Sequence, residues 1–279
     1  MARTPIAFSR SRVAANGASE FTFVPIVVGA DATEPRGINN AGVIVGSYTN
    51  AFDSNYGFVL KNGVVTTIEL PNSITQVAGI NSSLELAGDY LPSDGRDNPK
   101  GFIFGNGNIM PVDPPGAIAT EPDAINDAGS VVGSYYLESG YQGFLYRGGI
   151  FTTLSFPGAT GTLAEGINNQ GQIVGVWYDS NLTDYPFLYS DGQFQQLTVP
   201  GCENSGAFGI NNHGDIVGFC SDPELGLGFL YQNGAFLLFS FPGATNTLAF
   251  AINDSGQIVG QYYPPGVGEP QGFLATPVP

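Results

Sequence analysis

The sequence predicts an all-β fold, a six-bladed β-propeller of four-stranded antiparallel blades, and three observations carry that reading. The dipeptide Ile-Asn recurs at Ile38, Ile80, Ile125, Ile167, Ile210 and Ile252, in steps of 42, 45, 42, 43 and 42 residues. One repeat of that length is one propeller blade. Gly and Pro contribute 40 and 20 of the 279 residues, charged residues only 11% and aromatic residues 12%. With no Gly-X-Y period and that much aromatic content, collagen and disorder give way to many short strands joined by tight turns. Finally, the last copy stops one strand short while the chain starts with an orphan strand. The N-terminal strand is therefore expected to complete the last blade and close the ring, removing exposed sheet edges.

The clearest copy justifies the elements of a blade in order. Residues 151–156 form a β-rich run closed by Pro157-Gly158, and residues 163–168 form a second. After Asn169-Gln170-Gly171 come residues 172–178, then a polar loop, then Phe187-Leu188-Tyr189 and a Ser190-Asp191-Gly192 turn. Four short runs bounded by Gly, Pro and Asn make a meander of strands D, A, B and C, with A innermost. The orphan strand D spans Glu20 to Val28, and the final strand C is Gly272-Phe273-Leu274-Ala275. Residues 1–19 read as a flexible N-terminal segment and residues 20–279 as a single propeller domain.

The repeated residues read as scaffold. Gly42, Gly129, Gly171, Gly214 and Gly256 stand where the A–B hairpin turn needs a left-handed residue. The second copy has Leu84 there, so that turn is expected to be strained or differently shaped. The asparagine of each motif can cap the turn with its side chain. A second glycine series, Gly46, Gly88, Gly133, Gly175, Gly218 and Gly260, lies in strand B, where a missing side chain is expected to let blades approach closely.

Three motifs together carry a resemblance. Gly-Ile-Asn-Asn-x-Gly-x-Ile-Val-Gly (residues 166–175), Gly-Phe-Leu-Tyr (residues 143–146) and Phe-Thr-x-Leu-x-x-Pro-Gly-Ala (residues 151–159) resemble the bacterial extracellular HAF repeat. The resemblance covers about residues 20–275. It implies a secreted, propeller-like protein and brings no activity or catalytic residue with it.

Charge narrows the partners. Twenty-four acids against 8 bases give a net charge of −16, so nucleic acid, which needs a basic patch, is not an expected partner. No apolar run approaches the roughly 20 residues that span a bilayer, so membrane insertion is not expected, and a monomer is. The first 20 residues carry Arg3, Arg10 and Arg12 without a continuous apolar stretch, so no signal peptide is visible. The composition nevertheless points to an extracellular or periplasmic protein, with the cytoplasm as the alternative.

No cofactor is expected: there is no P-loop and no Gly-x-Gly-x-x-Gly opening a helix. No metal is expected either, since the acidic loops Asp53–Asn55 and Asp94–Asp97 lack EF-hand spacing. The single histidine, His213, belongs to an A–B turn, which argues against a Ser-His-Asp triad.

Aligning the copies shows where they refuse to repeat. Two residues before each isoleucine stand Arg36, Ala78, Asp123, Glu165, Phe208 and Phe250; two earlier stand Glu34, Gln76, Glu121, Leu163, Gly206 and Leu248. Both rows share a strand parity and approach the channel mouth on the face of the variable B–C loops. Apolar walls with a few convergent charges are the pattern of a small-molecule pocket; solvated rim charges are the alternative. Ten residues after each isoleucine lies an aromatic row that includes Trp177, suited to stacking on a sugar or to packing between blades.

The candidate ligand-binding residues are thus Glu34, Arg36, Glu121, Asp123, Glu165, Trp177, Phe208 and Phe250, for a glycan, small-molecule or protein ligand. No catalytic residue is assigned. The alternative function is an enzyme, a lyase, hydrolase or cyclase, using Arg36, Asp123 and Glu165. Cys202 and Cys220 replace repeat residues at one end of one blade, so a disulfide is expected there, with two buried thiols as the alternative.

Overall fold

A computed structural model describes residues 20–29, 31–50, 55–71, 73–92, 98–221, 226–266 and 268–278. The N-terminal segment 1–19 and the acidic loop tips at 51–54 and 93–97 lie outside the described residues, and with them the calcium question those loops raised.

The strands follow chain order. After β1 (Phe21–Ile26), the first repeat contributes β2 (Thr33–Ile38), β3 (Ile44–Thr49), β4 (Asn55–Lys61) and β5 (Val64–Ile68). The second gives β6 (Ser73–Ile80), β7 (Leu86–Pro92), β8 (Lys100–Gly105) and β9 (Asn108–Pro111). The third gives β10 (Ala119–Ile125), β11 (Val131–Leu137), β12 (Gly140–Arg147) and β13 (Ile150–Leu154). The fourth gives β14 (Gly161–Ile167), β15 (Ile173–Tyr178), β16 (Asp184–Ser190) and β17 (Gln193–Gln196). Then come β18 (Asn204–Ile210), β19 (Ile216–Ser221), β20 (Gly226–Gln232) and β21 (Ala235–Phe239), and finally β22 (Asn246–Ile252), β23 (Ile258–Tyr263) and β24 (Gln271–Pro277).

The expected six-bladed propeller needs correction: the structure shows four separate four-stranded blades, not six. Four of the sheets are free-standing and four-stranded, but the last two repeats share one eight-stranded sheet. The join is a single parallel pair, Gly226↔Asn246, linking β20 to β22. Its cause is local. A Cβ on Gly226 would collide with the Asn246 side chain, so the glycine lets the neighbouring strand come within pairing distance. A lateral bridge of one residue leaves no mark on hydrophobic periodicity. The N-terminal strand β1 pairs antiparallel with β24, from Phe21↔Pro277 to Ile26↔Gly272, as the orphan strand required.

Every innermost strand carries a β-bulge at one motif position. The register slips between Pro35 and Gly37, Val77 and Gly79, Pro122 and Ala124, Ala164 and Gly166, Ala207 and Gly209, and Ala249 and Ala251. The extra residue is Arg36, Ala78, Asp123, Glu165, Phe208 or Phe250, the row singled out by its failure to repeat. Bulges re-aim a side chain at the cost of one ladder position. Simple strand parity therefore does not describe this row.

The bulge also explains the strand-B glycines differently from the expectation. A Cβ on Gly46 would meet the Glu34 carbonyl and Pro35 Cα of its own blade, and a Cβ on Gly175 would meet the Leu163 carbonyl. These glycines accommodate the bulge opposite them, not a neighbouring blade. Each also pairs with a fully buried phenylalanine of strand C, as in Gly133↔Phe144 and Gly175↔Phe187. The ring covers the backbone that the glycine leaves bare.

Candidate functional site

The channel has two chemically different ends. At the A–B end, each motif asparagine caps its turn: Asn39 Oδ1 accepts from Ala41 N–H at 3.1 Å and Val43 N–H at 3.0 Å. Its Nδ2 donates to the Asn81 carbonyl at 3.1 Å, and the pattern passes through Asn126, Asn168, Asn211 and Asn253 back to the Asn39 carbonyl. Six buried asparagines thus close a circle. Leu84 takes the left-handed conformation with φ 63° and keeps the same turn bond, Leu84 N–H to the Asn81 carbonyl. The turn is strained, not reshaped.

The opposite end opens into a cavity of about 610 Å³. Arg36, Ala78, Asp123, Glu165 and Phe208 line it from the bulge row, and Gln76, Glu121 and Leu163 join them. Of the expected ligand residues, Arg36, Glu121, Asp123, Glu165 and Phe208 come together here. Phe250 lies deeper, in a recess of about 80 Å³, with the Arg36 guanidinium 4.3 Å above its ring. Phe208 and Phe250 touch at 5.4 Å between centroids and form a wall without filling the mouth.

Two expected residues serve other purposes. Glu34 does not line the cavity but accepts a hydrogen bond from Arg36 at 3.3 Å. Trp177 is not a ligand platform: its ring lies between Phe156 at 4.6 Å and Tyr185 at 4.5 Å, stacked on both. The aromatic row is blade packing, as Tyr262 on Phe241 at 3.6 Å repeats. In the fifth copy that row is replaced by Cys220, bonded to Cys202 across a Cα–Cα distance of 5.4 Å.

Several cavity residues were missed. Ser47, Asp89 and Ser134 occupy one row of strand B, nine residues after the isoleucine, and Asp184, Tyr141 and Tyr178 come from the B–C hairpins. The same alignment applied to strand B would have exposed Asp89, which stands where other copies have Ser, Val, Phe or Gln.

The cavity gathers five carboxyl groups, Asp89, Glu121, Asp123, Glu165 and Asp184, against one cation. Burial, then the Glu121 charge, raises Asp89 to about 7 against the pull of Arg36. Glu165 is raised to about 7, by burial first, with Arg36 opposing and Glu121 and Asp184 adding. Burial and the Glu165 charge hold Asp123 well above the ordinary carboxylate range. Glu121 and Asp184 are raised by burial as well. For the Asp123–Glu165 pair the first charge to form opposes the second, so the pair holds a proton near neutrality. Among the described residues, no three His, Cys, Asp or Glu converge closely enough to hold a metal ion.

Neither a protein-family model nor a curated protein sequence matches the chain. Solved structures do. TolB from Acinetobacter baumannii matches with a TM-score of 0.61 at 14% identity, over 75% of this chain and 55% of that one. A gluconolactonase from Xanthomonas campestris matches with a TM-score of 0.54 at 11% identity, over 89% of this chain and 87% of that one. The SapL1 lectin, solved with alpha methyl fucoside, matches with a TM-score of 0.54 at 10% identity, over 84% and 88%. The chain spans about half the length of the TolB chain. At such identities the likeness shows the fold alone, an all-β propeller with four-stranded blades.

Proposed function

We propose that this chain is a binding propeller that takes a small molecule or a glycan residue into the cavity at its channel mouth. The observation that carries the reading is the cavity itself: about 610 Å³, walled by Phe208 and Leu163, with convergent carboxyls and Arg36. That size and mixture suit a ligand held by a few directed polar contacts. The Cys202–Cys220 disulfide supports an extracellular or periplasmic setting, which is also what membership of the HAF-repeat family would imply.

A thermal-shift screen of glycans and metabolites tests the reading, because a ligand that binds only the folded chain raises its melting temperature. Hits that vanish in Arg36→Ala/Asp123→Ala are expected. A ligand whose binding ignores both changes would move the site elsewhere.

One observation favours a second reading. Asp123 and Glu165 line one cavity and burial raises both, a setting that suits a general acid and base. An enzyme, a lyase, hydrolase or cyclase, would lose turnover in Asp123→Asn while still binding its substrate.

A further inference from the structure

The binding reading leaves the ligand's charge open, and the cavity walls speak to it. The lone cation is already committed: Arg36 donates to Glu34 at 3.3 Å and its guanidinium lies on the Phe250 ring at 4.3 Å. It faces the acids from one side of the channel without a direct bond to them. Among the described residues, no protein group donates a hydrogen bond to the carboxyls of Asp89, Glu121, Asp123 or Glu165.

A second set of groups is equally unserved. Ser47 and Ser134 are only 9% and 3% exposed, and both line the cavity. Among the described residues, neither hydroxyl has a protein partner, and both are open to the cavity. The two serines sit around a space of ligand size, not in a polar network of their own. Tyr141, Tyr178 and Phe208 add aromatic surface to the wall, and a ring face attracts a desolvated cation.

We infer that the ligand carries a positively charged amine, held by the Asp123, Glu165 and Asp89 carboxylates, with hydroxyl or further amine groups satisfied by Ser47 and Ser134. This rests on the binding reading above and names its ligand class. Anionic ligands are disfavoured, since one engaged arginine faces five acids. Capture strengthens as the acids ionise. Asp89, Glu121, Asp123, Glu165 and Asp184 together with Arg36, Tyr141 and Tyr178 are the titratable groups facing this space, with Glu34 paired to Arg36 beside it, and the acids outnumber the one cation.

Isothermal titration with matched probes tests the inference: putrescine against butanediol, and glucosamine against glucose. At neutral to mildly alkaline pH the amines are expected to bind at least about tenfold more tightly than their neutral counterparts, a factor worth about 1.4 kcal/mol. Asp123→Asn/Glu165→Gln should erase that preference, and Glu165→Gln alone should reduce it, with folding checked by circular dichroism. Mildly acidic pH should weaken amine binding in the wild type. Glucose or butanediol binding as tightly as its amine would overturn the charge inference and leave the binding reading standing. Amine binding unchanged in the double variant would overturn the assignment of the site. No binding by any of the four probes would overturn the amine class, while the broader screen decides the binding reading.

Discussion

The two ends of the channel are built from the same hairpins yet treat carboxylates in opposite ways. At the A–B end, Asp127 and Asp254 are mostly solvated. Slight burial opposes them, but hydrogen bonds from Ser82 and Asn169, and from Asn212 and Asn40, hold both below the ordinary range. At the variable end, Asp89, Asp123 and Glu165 are enclosed without a donor and are raised. One end has satisfied its polar groups internally; the other has left them for something else. Carboxyls with donors and carboxyls without them thus lie largely at opposite ends of the channel, with the bulge of each innermost strand between them.

The comparison can be broken at the satisfied end first. Asn168 Oδ1 accepts from Gln170 N–H and Gln172 N–H, and its Nδ2 donates to Gln172 Oε1 and to the Asn211 carbonyl. Asn168→Ala leaves those groups without partners in a buried setting. The expected loss is about 3 kcal/mol, summing penalties of roughly 1–3 kcal/mol per stranded group with partial relief by water. Calorimetric unfolding should register it as a fall of about 6–12 °C. A fall as small as that of an exposed turn substitution would mean the asparagine circle is ornament.

The unsatisfied end should respond in the opposite direction. An unfolded chain releases the proton of an aspartate near 3.8 and of a glutamate near 4.5, whereas folded Asp89 and Glu165 hold theirs to about 7. Between those values the folded state binds more protons, so stability falls as pH rises and levels off above the folded value. Asp123→Asn removes a member of the set that burial and the Glu165 charge hold well above the ordinary carboxylate range. It is expected to stabilise the protein at mildly alkaline pH by on the order of 1–2 kcal/mol, discounted for water that reaches the cavity. Below the ordinary carboxylate range the variant and wild type should coincide. Denaturant titrations at several pH values measure this, and a variant less stable than wild type at alkaline pH would refute the account.

How much of this was legible in the sequence follows from what repeats. The period placed every strand of the meander, and the motif asparagine and glycine announced the turn, because these features recur with one spacing and one cause. The row containing Arg36, Asp123 and Glu165 was found by its irregularity, but its geometry was not: a bulge adds one residue without disturbing the pattern of hydrophobic positions. Asp89 and Ser134 escaped because strand B was read for its glycines. Trp177 stayed open between packing and binding in the sequence because an aromatic near a loop looks alike whether it meets a ligand or Phe156 and Tyr185. The Gly226↔Asn246 bridge that joins the last two repeats depends on one missing side chain, which no periodicity encodes.

The smallest effect concerns a flaw in the satisfied end itself. Outside the asparagine circle runs a second one, in which the residue after each motif asparagine passes a side-chain oxygen to its neighbour's backbone. Asp254 N–H donates to Asn40 Oδ1, Asn212 N–H to Asp254 Oδ1, Asn169 N–H to Asn212 Oδ1, Asp127 N–H to Asn169 Oδ1 and Ser82 N–H to Asp127 Oδ1. The sixth link would run from Asn40 N–H to residue 82, where the structure has Ser82 and no such bond. The serine oxygen stands one carbon nearer the backbone than the side-chain oxygen of asparagine or aspartate, and its hydroxyl falls short. Ser82→Asn should close the circle and add about 0.5–1 kcal/mol, the usual net worth of a hydrogen bond at an exposed site. Ser82→Asp should do the same near neutrality and lose the gain as pH falls through its carboxylate range, since protonation removes the charge that strengthens the bond. Ser82→Ala keeps the backbone link to Asp127 but gives up the Ser82 side-chain hydrogen bond to that carboxylate, so it should lower the melting temperature slightly. If asparagine and alanine at this position gave equal stability, the second circle would contribute nothing, and the contrast between the two ends would rest on the inner asparagines alone.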